Sequence, residues 1–249
     1  MNPRTSAALA RRAPVARAAR HEPFVNAFMD AVPAGGHVVS MAGGIGATVE
    51  WLWERSERWT LTVVDTEDEL LEQVPPWLAR TERRSIHELD GWAVSVDGVV
   101  VAGLDHLDFD GLALLARWVV RQGAPVFTGP TLDGTIRWRP GHESDDAVQA
   151  AVRLHQRAVA TGPDAAGWFA DHLRILGYDV QLASAPWRVV PSDRATIRRL
   201  VDQTASTAAA IHPDRATVDA WRHTRLLQAR AEVVQCSVGQ CDLLGLPPR

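Results

Sequence analysis

The 249-residue chain contains no lysine, and all 26 of its basic residues are arginine. That absence removes several mechanisms at once. Schiff-base chemistry, a phosphate-cradling P-loop and the Tyr/Lys pair of short-chain dehydrogenases each need a lysine. Cysteine is scarce, with only Cys236 and Cys241 near the C-terminus. If both lie on one strand, their odd separation puts them on opposite faces. That spacing argues against a disulfide and against a metal pair, and it predicts two reduced, half-buried thiols in a cytoplasmic protein. Metal-ligand spacing is missing elsewhere too, so no metal is expected. No apolar run is long enough for a membrane span. Residues 1–20 are rich in alanine and arginine but have no continuous apolar core, which excludes a secretory signal. Their composition is that of a transit peptide; we read them as a basic surface helix of a bacterial protein, its first dozen residues disordered. A net charge of −4 gives no reason to expect nucleic acid or an anionic membrane as a partner.

What is present is an ordinary globular composition, 46% hydrophobic, in a chain long enough for one large α/β domain. Residues 24–32 form an amphipathic helix closed by Pro33 and Gly35-Gly36. The stretch that organises the chain follows. His37-Val38-Val39-Ser40-Met41 is a short apolar run that reads as a buried strand. It passes into Ala42-Gly43-Gly44-Ile45-Gly46-Ala47, then into helical spacing over 48–54. Strand, glycine turn and helix form the entry of a nucleotide-binding unit, where small residues admit a ligand close to the backbone and free N–H groups await it. Trp59 to Asp65 reads as the next strand. Asp65 lies about twenty residues beyond the glycines, where a carboxylate reaches ribose hydroxyls.

Further on, helix is expected over 67–78, strand over 83–89, strand over 97–103, helix over 110–122 stopped by Gly123, and strand over 124–129. This β/α alternation predicts a parallel sheet with right-handed crossovers. The second half reads as helix 145–160, a helix opened by Gly162-Pro163-Asp164, a strand over 178–190, a helix capped by Ser192, a helix 214–230 and a last strand within 231–246. No linker separates two domains, so residues 21–246 read as a single domain with a helical insertion at 193–230.

The order of elements and the glycine turn resemble the class I S-adenosylmethionine-dependent methyltransferases, over roughly residues 18–246. Weaker matches in the same order are Thr131-Leu132-Asp133-Gly134, His155-Gln156-Arg157, Ser184-Ala185-Pro186-Trp187-Arg188 and Val238-Gly239-x-x-Asp242-Leu243-Leu244. The resemblance implies a Rossmann-like seven-stranded, mostly parallel sheet with an antiparallel C-terminal hairpin. It implies S-adenosylmethionine as cofactor and a small-molecule methyl acceptor. Against the class pattern acid-x-Gly-x-Gly-x-Gly, the matching positions are Ser40, Ala42, Gly44 and Gly46, so the acid and the first glycine are missing. Gly43, Asp65 and Thr66 would also meet the cofactor, with Asp90 on the adenine amine and Ala102-Gly103 facing cofactor and substrate. Arg20 matches an arginine that could pair with the cofactor carboxylate, as its fork suits.

Methyl transfer is an in-line displacement in which protein groups position the acceptor and, where needed, take its proton. Asp105 and His106 follow the fourth strand, where a substrate-facing base would sit, and histidine is suited to that work. His155 is a second substrate contact, and Trp187 a wall of the acceptor pocket. Two other readings stand beside this one. Ser40 and Ala42 motivate a methyltransferase-like protein that binds a partner or does other chemistry. Gly43-Gly44-Ile45-Gly46 also suggests an NAD(P)-dependent oxidoreductase, although Val49 then occupies the third-glycine position. The exposed insertion suits a dimer; monomer and homodimer both remain open.

Overall fold

The computed structural model describes residues 6–56 and 59–248. The chain opens with α1 (Ser6–Ala19) and α2 (Glu22–Ala31), then alternates through β1 (His37–Met41), α3 (Ala47–Ser56), β2 (Thr60–Asp65), α4 (Asp68–Leu71), β3 (Arg80–Arg83), β4 (Gly98–Val101), α5 (Phe109–Gln122) and β5 (Val126–Arg139). It continues through α6 (Asp145–Val159), α7 (Ala165–Ile175), β6 (Asp179–Ser184), β7 (Trp187–Val189), α8 (Arg194–Ala209), α9 (Arg215–Arg230) and β8 (Gln235–Leu246).

The described strands form one eight-stranded sheet in the order β3-β2-β1-β4-β5-β8-β6, with β7 also paired to β8. Strands β1 to β5 are mutually parallel. The last strand, β8, runs antiparallel between β5 and β6. This is the expected doubly wound, mostly parallel sheet with its antiparallel C-terminal strand. Its centre is continuously apolar because both faces are covered: Val38, Val39, Val99, Val100 and Val101 are fully buried. On one face α5 and α7 pack Leu112, Leu115, Trp118 and Phe169 onto Val99 and Val101. On the other, α2 and α3 pack Phe28, Val49 and Leu52 onto Val38 and Val100. Asp108 caps α5 by accepting from Gly111 N (2.7 Å), and Gly123, at φ 63°, ends it.

Several boundaries differ from the sequence reading for identifiable reasons. Strand β3 covers Arg80–Arg83, not 83–89, and residues 86–91 form a 3₁₀ turn whose capping box is Ser85 and Glu88. Helix α4 stops after four residues, before Pro75-Pro76. Strand β5 does not end at Gly129. It continues to Arg139 through two register shifts against β8, which absorb the Gly129-Pro130 pair and the 131–134 stretch read as a turn. The strand expected over 178–190 is split by Ala185-Pro186 into β6 and β7, giving eight strands where seven were expected. Asp193, not Ser192, caps α8, accepting from Thr196 N at 3.1 Å. The cysteines both lie on β8; Cys236 is buried and Cys241 half-buried, and both are free. Among the described residues, no helix is long and apolar enough to cross a membrane.

Two arginine–carboxylate pairs, each with a buried arginine, bind the outer elements to this sheet. Helices α6, α8 and α9 form a third core with β7 and the outer halves of β5 and β8. At its centre Arg225 is fully buried, donates Nη2 to both oxygens of Asp145 (2.6 Å each) and Nη1 to Pro140 O (2.7 Å), and lies over the Trp138 ring at 5.4 Å. Trp221 Nε1 also donates to Asp145, at 2.7 Å. The second pair joins the N-terminus to the last strand. Arg20, just after α1, donates Nη1 to Asp242 of β8, and His21 N donates to the other carboxylate oxygen at 2.8 Å. Both side chains are out of water, at 2% and 0% exposure. Burial pushes the Arg20 guanidinium down and the Asp242 carboxyl up, by more than their mutual attraction offsets.

Two outcomes follow from these pairs. Desolvation pushes the Asp145 carboxyl up, but hydrogen bonds from Arg225, Trp221 and His142 N outweigh it and hold the group below its usual range. A carboxyl depressed in the folded state contributes stability above its unfolded pKa and loses it as pH falls through the folded value. Asp145→Asn should therefore destabilise the protein in urea unfolding at neutral pH, by about 1–3 kcal/mol because Asp145 is itself partly exposed. The gap to wild type should shrink as pH is lowered from about 5 towards 3. For the second pair, Arg20→Met and Asp242→Asn should each cost about 3–5 kcal/mol by stranding a buried charge, and the double variant should cost clearly less than their sum. Strict additivity in that cycle would show that the two charges do not depend on each other.

Candidate functional site

The site is built at the carboxyl ends of β1, β2 and β4. Leaving β1, the backbone takes left-handed conformations at Ala42 (φ 49°), Gly44 (φ 56°) and Gly46 (φ 76°). Glycine adopts these freely, whereas alanine does so at a cost of roughly 1–2 kcal/mol. Gly43 tolerates no side chain: a Cβ there would lie 2.7 Å from Ser40 Oγ and 2.8 Å from Val63 Cγ1. Ser40 is therefore tucked under the turn and is 1% exposed. The turn then feeds α3, whose first turn accepts Glu50 N at Gly46 O (2.9 Å).

Asp65 ends β2 directly beside the turn. Its Oδ2 accepts from Gly44 N at 2.9 Å, and its Oδ1 from Thr66 N at 2.8 Å and Glu67 N at 3.2 Å. The carboxylate clasps the glycine turn to β2, a role the sequence reading did not give it.

At the end of β4, Ala102 N donates to Met41 O (3.2 Å) and Gly103 N to Pro130 O (3.1 Å). These bonds tie the exit of β4 to β1 and β5. Gly103 has φ 66°, and a Cβ on it would lie 3.0 Å from His106 Cδ2. The His106 ring thus rests on the end of β4, with its side chain 57% exposed. Asp105, also expected to face the substrate, is buried instead, and its Oδ1 accepts from Leu132 N at 3.2 Å. The 3.8 Å separation of Asp105 Oδ2 from His106 Nε2 exceeds hydrogen-bond length. Asp105 anchors β5 to the loop after β4; it is a positioning residue and does not open into the cleft.

Four more expected residues sit outside the glycine turn. Asp90 is not at the mouth. It is exposed and paired at 2.9 Å with Arg121 at the far end of α5, because the turn after β3 runs down beside α5 towards the amino end of β4. Arg20 does not project as a free fork, since Asp242 occupies one side of its guanidinium. His155 is half-buried on α6 and makes no hydrogen bond among the described residues. Trp187, 7% exposed on β7, packs in the core under α8 and α9 beside Val238. A groove of about 530 Å³ opens at the amino ends of β1 and β2, around His37, Trp53, Trp59 and Trp77, far from the turn. Ligands of open α/β sheets bind at the carboxyl ends, which favours the turn over that groove.

The sequence reading missed one group. Gln240 of β8 is 1% exposed and neither its Nε2 nor its Oε1 has a hydrogen-bond partner. The available signal was a polar residue at an inward position between Val238 and Asp242 in the terminal strand motif.

No protein-family model matches the chain, and no curated protein does. Solved structures do match in fold. A Haloferax volcanii protein crystallised with the Trm112 methyltransferase activator superposes with a TM-score of 0.54 at 12% identity, covering 97% of this chain and 92% of that one. A cyclopropane synthase of Mycobacterium tuberculosis matches at 0.50 and 10% identity, covering 90% and 83%. A Galdieria sulphuraria protein assigned as a sarcosine dimethylglycine methyltransferase matches at 0.50 and 10% identity, covering 91% and 85%. At these identities the likeness is one of fold: this chain shares with these proteins a Rossmann-like, mostly parallel sheet with an antiparallel C-terminal strand.

Proposed function

We propose that the protein transfers a methyl group from S-adenosylmethionine to a small-molecule acceptor. The observation that carries this reading is the glycine turn held by Asp65 at the carboxyl ends of β1 and β2. The residues there fit an adenosyl group. Gly44 and Gly46 keep the turn free of side chains, and the start of α3 offers backbone donors. The Asp65 carboxylate, ending β2 beside the turn, is of the type that binds ribose hydroxyls. When bound, the cofactor supplies a methyl group on a sulfonium, so no metal or lysine is needed for the chemistry.

The chain's own part is to orient the acceptor, keep water out and move a proton. His106 rests at the end of β4 and is the residue we assign to accept the proton of a hydroxyl or amine acceptor at its imidazole nitrogen. Asp105 fixes the loop that presents it. A second reading rests on Ser40 and the strained Ala42. With no acid at position 40, the turn lacks the carboxylate that the class uses at the cofactor's amino end, as a methyltransferase-like protein with another role would. The nicotinamide reading has no such support, since Val49 at its third-glycine position is a fully buried core residue of α3.

Asp65→Ala tests the reading. It removes charge-assisted bonds to the ribose and releases the turn, so calorimetry should show S-adenosylmethionine binding weakened by about ten-fold or more. Unchanged affinity would place the cofactor elsewhere.

A further inference from the structure

A row of buried polar atoms without partners lies on one face of β8. Alternate residues of a strand share a face, so Val238, Gln240 and Asp242 stand side by side. Beside Val238 is Trp187 of β7, whose Nε1 is buried and has no acceptor. At the other end is Arg20 on Asp242, whose Nη2 is likewise buried and unpaired. Gln240 stands between them with both ends of its amide unbonded. Helix α1 covers this row, packing Val15, Ala16 and Ala19 against the core that contains Trp187 and Val238. The row begins where β5 leaves the mouth: a Cβ on Gly129 would strike Arg20 Nη1 and Asp242 Oδ1.

Buried amides almost always find hydrogen-bond partners, so an amide left with neither is an open recognition site or a liability. We propose that Gln240, with Arg20 and Trp187, is the specificity-determining end of the methyl-acceptor site, and that it takes an uncharged carboxamide or lactam group. This deepens the methyltransferase reading and rests on it. The donor and acceptor count sets the ligand class. Along the row Trp187 Nε1, Arg20 Nη2 and Gln240 Nε2 are unbonded donors and Gln240 Oε1 is an unbonded acceptor, and His21 Nδ1, beside Asp242, is also buried without a partner. A carbonyl oxygen can accept from up to two of these donors while an adjacent N–H donates to Gln240 Oε1. Charge argues against a carboxylate, because Asp242 already neutralises Arg20 and would repel a second anion in a site closed to water.

The test uses the full-length protein labelled with ¹⁵N. The side-chain amide resonance of Gln240 is assigned by its loss in Gln240→Leu, and acetamide and acetate are titrated as probes. The proposal predicts a saturable shift of that resonance with acetamide, at least several-fold tighter than with acetate. It also predicts that Gln240→Leu, which removes the unbonded groups, melts several degrees higher than wild type in the absence of ligand. Gln240→Met serves the same comparison if the leucine variant folds poorly. A stronger response to acetate, no saturable response to acetamide, or a lower melting point for both variants would overturn the proposal. S-adenosylmethionine titrated into the wild-type protein is a separate arm. Its failure to bind would remove the methyltransferase reading while leaving the amide response to stand or fall alone.

Discussion

The carboxylate of Asp65 is the interaction on which the site depends. It terminates β2, and through Gly44 N it fixes the one segment of backbone that lies over the centre of the sheet. Without it the turn after β1 has no partner from β2 below Val64 O, which accepts from Gly43 N. The parallel register of β1 with β2 and β4 then brings the turn, Asp65 and the exit of β4 to the same edge. Everything assigned to the site stands on that edge.

In a chain without lysine, two ion pairs whose arginines are buried hold the outer elements. Arg225 with Asp145 holds the α6–α8–α9 layer, and Arg20 with Asp242 holds the N-terminal helices to the last strand. Such pairs contribute little net stability against apolar substitutes, but either partner alone is costly. They therefore specify where the outer elements dock more than how tightly. Arg20 is the clearest case: a residue expected to meet the cofactor is instead held by the sheet, and it brings α1 over β8.

Much of the fold was legible because its signals were local. The continuous valine runs of β1 and β4, the Gly123 stop of α5, and the acid ending β2 are all patterns of a few residues. The β3 edge strand was displaced because Arg80–Arg83 carries no apolar alternation, and that shift carried Asp90 to the wrong end of the sheet. Strand β5 was cut short because Gly129-Pro130 and Asp133-Gly134 are turn signals in sequence, and only pairing with β8, over a hundred residues away, overrides them. For the same reason the sequence did not show what holds Asp105 and Arg20. Their partners, Leu132 N and Asp242, are distant in the chain, and no spacing rule announces them. Gln240 went unseen because its significance lies in what it does not bond.

The central claim is that this edge binds S-adenosylmethionine. Calorimetric titration of the full chain with S-adenosylmethionine, its demethylated product and NADH tests it most directly. The account predicts one site per chain for the first two and no heat of binding with NADH. Binding of NADH, or no binding of either sulfur compound up to millimolar concentration, would contradict it.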